Sequence, residues 1–323
     1  MNYRRFGRVG WQVSEIGYGM WGMAGWSGSD DSVSMTSLQR AVDMGCNFYD
    51  TAFAYGNGRS EALLGRLVKN NREKRLYTAT KVPPKNLKWP ALPGYSLEEC
   101  YPPEHIEEYV GKSLENSGLD RFDLLQLHTW NDDWTEEPGW YEKLDELKRR
   151  GLIGAYGISI NRWEPWNGIR AVRSGKIDAV QVIYNIFDQN PEDDLFPACK
   201  ERDVAVIARV PFDEGTLTGN LTLTTTFPED DWRSTYFSDE NLRQSVERAE
   251  ALRPCVPSGS TMAQMALRFI LNQGTVSTVI PGMRKIANVE ANMSASVAGP
   301  LPEGLHQELR AHRWIRKPAP WSD

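Results

Sequence analysis

The sequence predicts a single-domain (β/α)8 TIM barrel. Eight short runs rich in β-forming residues alternate with amphipathic helical stretches along the 323 residues. Alternation at this spacing is typical of parallel strands joined by right-handed crossovers, and eight such units favour a closed barrel over an open sheet. Because α/β barrels of this length are routinely single domains, residues 1–323 are assigned to one barrel.

The predicted strands, in chain order, are SEIGYG, NFYDTA, RLYTATKV, DLLQLH, AYGIS, AVQVIYN, VAVIARV and TVSTVIPG. The helical stretches between them include SVSMTSLQRAVDMG, SEALLGRLVKN, PEHIEEYVGKSLENSG, GWYEKLDELKRRG and MAQMALRFILNQG. Several of them end at glycine, which is a common helix stop. The opening MNYRRFGRVGWQV is predicted to form a β-hairpin across the bottom of the barrel.

Three longer polar loops are expected at the C-terminal face of the barrel. They cover residues 83–103, 129–138 and 212–240. The tail RWIRKPAPWSD, about residues 313–323, is rich in Pro and Trp and is expected on the surface. Because the chemistry of these barrels gathers on loops at the C-terminal ends of the strands, the candidate site is sought there.

Composition argues against several classes of protein. The net charge of −6 gives no support for nucleic-acid binding, which favours a basic face. The four cysteines form no C-x-x-C pair, so the expectation is reduced thiols in a cytoplasmic protein. The N-terminus lacks the apolar core of a signal peptide, and no apolar run approaches the roughly 20 residues that span a bilayer. We expect neither a nucleic-acid partner nor a membrane partner.

Polar side chains stand at the ends of three successive strands. Asp50 ends the second strand, with Tyr55 on the loop that follows it. Lys81 ends the third strand, and His128 ends the fourth. Because side chains alternate along a strand, each strand-end residue is predicted to top an inward-facing layer. An acid, a phenol, an amine and an imidazole are therefore expected to meet at one rim.

These four groups suit the protonation of a carbonyl oxygen. A free tyrosine has a pKa near 10. The Lys81 ammonium is expected to lower the pKa of Tyr55, with Asp50 keeping Lys81 charged and oriented. A neutral His128 would bind the same substrate oxygen. Since the set contains no strong nucleophile, the chemistry calls for an external hydride and hence a nicotinamide cofactor.

At these residues the chain resembles the aldo-keto reductases. The similar segments, in the family's order, are NFYDTAFAYGNGRSEALLG, TATK, DLLQLH, GISIN, AVQVIYN, VPFDEGTLTG and VIPGMRKIANVEAN. The resemblance implies a (β/α)8 barrel that reduces aldehydes or ketones with NADPH and carries no metal. It places the family's catalytic tetrad on Asp50, Tyr55, Lys81 and His128, with Tyr55 as general acid.

The resemblance also implies a cofactor site. The nicotinamide end is assigned to Gly19, Met20, Trp21, Asp50, Ser159, Asn161, Gln181 and Arg209. The pyrophosphate loop is assigned to Val210, Pro211, Phe212, Gly215, Leu217 and Gly219. The adenosine end is assigned to Pro281, Gly282, Arg284, Asn288 and Asn292.

Three departures from the family pattern bear on the cofactor. The usual Ser-Asn pair is interrupted as Ser159-Ile160-Asn161. Arg209 replaces the ring that usually stacks on nicotinamide, and its planar guanidinium retains the ability to stack. Asn288 and Ala291 stand where many relatives carry charged or longer polar residues, which leaves Arg284 as the candidate contact for a 2′-phosphate. NADP(H) is therefore preferred, with NAD(H) as the alternative.

The substrate is expected to be a small carbonyl compound, with a sugar or a cyclic keto natural product as the suggested kind. Four aromatic residues on loops beyond strand ends are candidate walls of its pocket: Trp21, Phe53, Trp130 and Trp163. The sequence makes no prediction of the oligomeric state.

Three other readings remain open at this point. The first is a nucleotide-binding regulatory subunit with slow or no turnover. The second is a barrel hydrolase that uses a metal or paired carboxylates, although the four histidines form neither H-x-H nor H-E-x-x-H. The third is an open dinucleotide-binding sheet, because residues 17–22 fit G-x-G-x-x-G. The loop sequence that follows, GMAGWSGSDD, is not the helix that such a motif requires.

Overall fold

The computed structural model describes residues 1–25, 29–229 and 231–316, without the side chain of Asp239. Its strands are β1 (Tyr3–Phe6), β2 (Trp11–Ser14), β3 (Tyr18–Gly19), β4 (Phe48–Asp50), β5 (Tyr77–Val82), β6 (Phe122–Leu127), β7 (Ile153–Ser159), β8 (Ala179–Ile183), β9 (Ala205–Arg209) and β10 (Val276–Val279). Its α-helices are α1 (Asp31–Asp43), α2 (Arg59–Asn70), α3 (Leu97–Cys100), α4 (Pro103–Ser117), α5 (Pro138–Arg149), α6 (Ile169–Ser174), α7 (Leu195–Arg202), α8 (Arg233–Tyr236), α9 (Asp239–Leu252), α10 (Met262–Leu271), α11 (Ile286–Val297) and α12 (Glu303–Arg310).

Strands β3 to β10 form the barrel, and each pairs in parallel with the next one in the sequence. Parallel bridges from Ile16 to Val279 and from Gly19 to Gly282 join the first strand to the last. Gly19 is required at this junction, because a Cβ there would lie 2.7 Å from the carbonyl oxygen of Ile280. The predicted (β/α)8 fold is confirmed.

The N-terminal hairpin, β1 and β2, is antiparallel and covers the N-terminal end of the barrel. Phe6 and Val13 pack there against the apolar layer of the barrel interior, which includes Phe48, Ala79 and Leu124. The first barrel strand is shorter than predicted, because Ser14 belongs to the hairpin and leaves only Tyr18–Gly19 in β3.

A polar layer lies above the apolar one. It is formed by Asp50, Lys81, Gln126 and Gln181, whose side chains all point inward and are buried. The change from apolar to polar layers along the barrel axis marks the C-terminal face as the place of the chemistry.

Part of the C-terminal tail departs from the predicted surface position, since Trp314 packs against the core. Ile315 is exposed, but the side chain of Arg316 is buried against Asp213. A buried guanidinium requires a carboxylate partner, and Asp213 supplies it. Residues 317–323 of the predicted tail lie outside the described residues.

Candidate active site

An ion pair occupies the floor of the site. Lys81 Nζ donates to Asp50 Oδ2 over 2.5 Å, and both side chains are within 2% of complete burial. Lys81 also donates to the carbonyl oxygen of Thr51 at 2.8 Å. The backbone of β4 and its loop therefore fixes the ammonium in place.

Two glutamine amides complete the surroundings of Asp50. Gln126 Nε2 and Gln181 Nε2 donate to Asp50 Oδ1 at 3.0 and 2.9 Å, and Gln181 Nε2 lies 3.1 Å from Gln126 Oε1. Gln126 was not among the site residues predicted from the sequence. Gln126 lies between Leu124 and His128 in the alternation of inward-facing residues, and this alternation could have identified it from the sequence.

Tyr55 and His128 stand above this pair at the rim. Lys81 Nζ lies 3.5 Å from the Tyr55 hydroxyl, and the rings of Tyr55 and His128 meet edge to face with their centroids 5.7 Å apart. The four residues expected to meet are thus together in the structure.

Burial raises the pKa of the Tyr55 phenol above its ordinary value. The Lys81 ammonium acts in the opposite direction, but it does not outweigh desolvation. Lys81 thus lowers the pKa of Tyr55 as expected, but the net shift of that pKa is upward because desolvation is larger. The sequence showed the charged neighbour but not the loss of water. The phenol is a neutral proton donor at neutral pH.

His128 is held in its neutral form. Burial lowers the pKa of its imidazole well below the ordinary value, and the cations of Lys81 and Arg209 add to the effect. Its Nδ1 has no hydrogen-bond partner among the described residues. A neutral imidazole suits hydrogen bonding to an uncharged substrate oxygen, as expected.

A cavity of about 650 Å³ opens above these residues. Asp50, Tyr55 and His128 lie in its wall. The predicted cofactor residues that also line it are Gly19, Met20, Trp21, Ser159, Asn161, Gln181, Arg209, Val210, Pro211, Phe212, Gly215, Gly282, Arg284 and Asn288.

Four predicted cofactor residues lie outside this wall. Leu217 and Asn292 are buried, and Gly219 ends the short helical turn Asp213–Thr218. The carbonyl oxygen of Pro281 accepts a hydrogen bond from Gly19 N at 3.0 Å, so this residue serves barrel closure. Of the predicted pyrophosphate loop, Val210, Pro211, Phe212 and Gly215 therefore line the cavity, whereas Leu217 and Gly219 do not.

The predicted substrate wall is corrected at three of its four positions. Trp130 is fully buried between Trp134 and Trp140, with ring centroids 5.7 and 5.0 Å away. Phe53 packs edge to face on Tyr109, and Trp163 lies beside a separate small cavity. Burying a large apolar ring is more favourable than leaving it exposed to water. Only Trp21 lines the main cavity as predicted.

Other residues of the cavity wall were missed. Trp89 approaches His128 edge to face at 5.9 Å, and Arg162, Glu214 and Trp232 also line the cavity. They come from loops 83–103 and 212–240 and from the segment after β7. The loops were recognised, but no sequence spacing indicated which of their residues turn towards the site.

Arg209 has an unusual environment, and the residue after it has an unusual backbone conformation. Arg209 Nη2 donates to the carbonyl oxygen of Ile160 at 3.0 Å, while its Nε is buried without a hydrogen-bond partner among the described residues. Burial lowers the pKa of Arg209 to about 10, and Arg162 contributes. Val210 then has a φ of 54°, which is rare for a β-branched residue.

The donor set of the cavity fits a nucleotide. The cavity is lined by Tyr55 and His128 and, at the end formed by the segment after β10, by Arg284, Lys285 and Asn288, so this end is cationic. Gly22 lets the Arg284 side chain approach, since a Cβ there would lie 3.1 Å from it. Cations at this end match phosphate groups. Within the described residues, no group of three acidic, histidine or cysteine side chains is placed to hold a metal.

A phenol, an imidazole and a buried ammonium at a cavity that fits a nucleotide suit the reduction of a carbonyl group with a nicotinamide cofactor. The family model described as "Aldo/keto reductase family" matches residues 15–313. The chain therefore belongs to the aldo/keto reductase family and is an NAD(P)H-dependent oxidoreductase.

Three relatives illustrate the range of the family around this chain. The uncharacterized oxidoreductase YqkF of Bacillus subtilis (strain 168) is 30% identical over 318 residues, covering 97% of this chain and 96% of the relative. An NADP(+) aldo-keto reductase, yakc, of Schizosaccharomyces pombe is 29% identical, covering 88% and 84%. The NADH-specific methylglyoxal reductase of Escherichia coli K12 is 26% identical, covering 88% and 90%. The relatives thus differ in cofactor.

Solved structures show the same architecture. A glycerol dehydrogenase from Gluconobacter oxydans superposes with a TM-score of 0.79 at 26% identity, covering 99% of this chain and 98% of that one. The holo form of an aldo-keto reductase from Bacillus halodurans superposes with a TM-score of 0.75 at 26% identity, with complete coverage of both chains. Within the part of the chain described here, no helix is long and apolar enough to cross a membrane.

Proposed function

We propose that the protein reduces an aldehyde or ketone to an alcohol with NADP(H), using Tyr55 as the general acid. The observation that carries the proposal is the arrangement of Asp50, Lys81, Tyr55 and His128 in the floor and wall of one cavity. Tyr55 keeps its proton because burial raises its pKa. A protonated phenol 3.5 Å from a fixed ammonium is suited to give that proton to a substrate oxygen as negative charge develops there.

Each of the other residues has a distinct part in the proposed reaction. Lys81 stabilises the phenolate that remains after proton transfer, because its charge is buried and close. Asp50 orients Lys81, and Gln126 and Gln181 hold the Asp50 carboxylate in turn. Neutral His128 donates a hydrogen bond to the substrate oxygen and sets its direction. Bound reduced nicotinamide supplies the hydride.

The cofactor is proposed to extend from the tetrad to the cationic end of the cavity. Ser159, Asn161 and Gln181 would bind the carboxamide, and the loop from Val210 to Gly215 would carry the phosphates. Arg284 and the adjacent Lys285 would contact a 2′-phosphate, which is the reason to propose NADP(H) over NAD(H). The relatives use either cofactor, so this preference rests on the residues of this chain.

The substrate is proposed to be a small polar carbonyl compound with a ring, such as a sugar or a keto natural product. The support is a cavity that Trp21 and Trp89 line together with the polar side chains of Arg162 and Glu214. Flat aromatic faces pack on rings, and the polar groups would bind hydroxyls. A cytoplasmic location is part of the same proposal, supported by four cysteines that are all free thiols.

The proposal is tested by the depletion of reduced nucleotide by the purified protein. NADPH and NADH are each presented with a panel of aldehydes, quinones and keto sugars, and absorbance of the reduced nucleotide is followed. Turnover with NADPH preferred is the expected result. Tight binding of nucleotide without turnover of any carbonyl would contradict the proposal and favour a regulatory subunit.

A further inference from the structure

The loop that follows β9 is strained where it borders the cavity. Asp213 and Glu214 have φ angles of 46° and 57°, and Gly215 follows at 118°. Residues other than glycine seldom adopt such angles. These conformations persist only where contacts from the surrounding structure determine them. We call residues 213–219 the cofactor loop.

Two arginines from distant segments hold the two acids of the cofactor loop. Arg162, which follows β7, pairs with Glu214 at 2.6 Å. Arg316, near the C-terminus, pairs with Asp213 at 2.7 Å. Arg162 and Glu214 line the cavity, whereas neither Asp213 nor Arg316 belongs to the cavity wall. Arg316 is therefore placed to act on the loop without touching what binds in the cavity.

The guanidinium of Arg316 is enclosed on several sides. Its side chain is only 2% exposed. Asp188 Oδ2 lies 3.5 Å from Nη2, and Nη1 donates to the Tyr236 hydroxyl at 2.6 Å. The guanidinium also lies over the rings of Trp163 and Trp314, 5.4 and 4.2 Å from the ring centroids. A buried charge with this many partners is costly to leave unpaired, so loss of Arg316 would release Asp213.

The residues before Arg316 fasten the segment to another part of the barrel. Arg313 pairs with both carboxylate oxygens of Asp193, at 2.8 and 2.5 Å, and Trp314 N donates to the carbonyl oxygen of Phe187 at 2.8 Å. These contacts lie on the loop after β8 and involve no residue of the cofactor loop. Arg313 is therefore a matched control for Arg316.

We propose that Arg316 is a positioning residue that holds the cofactor loop in the conformation that binds nucleotide. The inference rests on the proposed function, since it takes the cavity to be the cofactor site. Without Arg316 the strained loop relaxes, and the binding-competent conformation becomes a minor state. The apparent affinity for nucleotide then falls in proportion to the fraction of molecules whose loop is still in the binding-competent conformation. The catalytic groups lie on other strands and keep their geometry.

The test compares the full-length protein with Arg316→Gln and Arg313→Gln. Hydrogen exchange of residues 212–219 is measured without nucleotide, and the Kd for NADPH is measured by titration. We expect Arg316→Gln to speed exchange in the loop and to raise the Kd about 10-fold or more, with kcat at saturating NADPH within about twofold of the unaltered protein. Arg313→Gln should change neither quantity.

Several results would overturn the proposal. The proposal is wrong if Arg316→Gln has the same loop exchange and the same Kd for NADPH as the unaltered protein. It is also wrong if Arg316→Gln and Arg313→Gln have equal effects. If Arg316→Gln does not fold, hydrogen exchange of the unaltered protein provides the test. NADPH binding should slow exchange at residues 313–316, and unchanged exchange there would contradict the coupling between this segment and the cofactor loop. Failure of the unaltered protein to bind any nicotinamide nucleotide would contradict the proposed function, and the nucleotide-free exchange would still decide the role of Arg316.

Discussion

Lys81 Nζ and Asp50 Oδ2 are 2.5 Å apart, and their side chains are only 0% and 2% exposed. Removing one member of a buried pair leaves an uncompensated charge, which costs about 3–5 kcal/mol. We therefore predict that Asp50→Asn lowers the free energy of unfolding by several kcal/mol, measured by urea denaturation, and also reduces kcat. Asp133→Asn is the control, because that carboxylate is 78% exposed and its pair with Arg170 lies on the surface. Equal effects of the two substitutions would contradict the prediction.

The pH dependence of carbonyl reduction should be flat through the neutral range. Burial raises the pKa of Tyr55, so the acid form persists as pH rises, and the pKa of His128 lies well below its ordinary value, so the imidazole stays neutral as pH falls towards 6.5. We expect kcat/KM for reduction to change by less than about threefold between about pH 7 and pH 9. A single ionisation near 6.5 that disappears in His128→Gln would show that the imidazole titrates and would refute this part of the account.

Arg209 should favour the reduced over the oxidised cofactor. The oxidised nicotinamide ring carries a positive charge, and a guanidinium held at the proposed ring site repels it. We predict that Arg209→Gln lowers the ratio of the Kd for NADP⁺ to the Kd for NADPH by about 10-fold, which corresponds to about 1.4 kcal/mol. Arg284→Gln is the matched control, because a phosphate contact should weaken both forms alike. If Arg209→Gln leaves the ratio of the two Kd values unchanged, the nicotinamide ring does not bind beside Arg209.

Substitution of Trp89 should affect substrate binding, whereas substitution of Trp130 should affect stability. Trp89 is 42% exposed and borders the cavity, so Trp89→Ala should raise KM for the carbonyl substrate and change stability little. Trp130 is fully buried, so Trp130→Ala should lower the free energy of unfolding by about 3–5 kcal/mol and leave KM unchanged. Thermal unfolding and initial rates measure both effects. A raised KM with unchanged stability in Trp130→Ala would show that Trp130 belongs to the substrate wall.

The strand-end residues were predictable because their positions depend on local rules. Alternation along β4, β5 and β6 fixes the inward direction of Asp50, Lys81 and His128 whatever the rest of the chain does. Strand and helix alternation likewise determined the barrel. These features require only short-range pattern and the known arrangement of parallel strands.

The failures concern residues whose surroundings come from distant parts of the chain. Trp130 lies two residues after His128, but packing against Trp134 and Trp140 turns it away from the site. Trp89 reaches the cavity on a loop whose path no pattern revealed. The direction of the Tyr55 pKa depends on how much water burial removes, a quantity that spacing does not contain. Arg316 is buried by Asp213, about one hundred residues away in the sequence.

The central claim is that Tyr55 gives its proton to the substrate oxygen, and Tyr55→Phe tests it most directly. The substitution removes one hydroxyl and keeps the ring, and Tyr141→Phe, on α5 outside the cavity wall, is the control. NADPH depletion with the best carbonyl of the panel is followed at saturating nucleotide, with the Kd for NADPH measured alongside. The account predicts a loss of kcat of about 100-fold or more with an unchanged Kd. Turnover by Tyr55→Phe at the rate of Tyr141→Phe would contradict it.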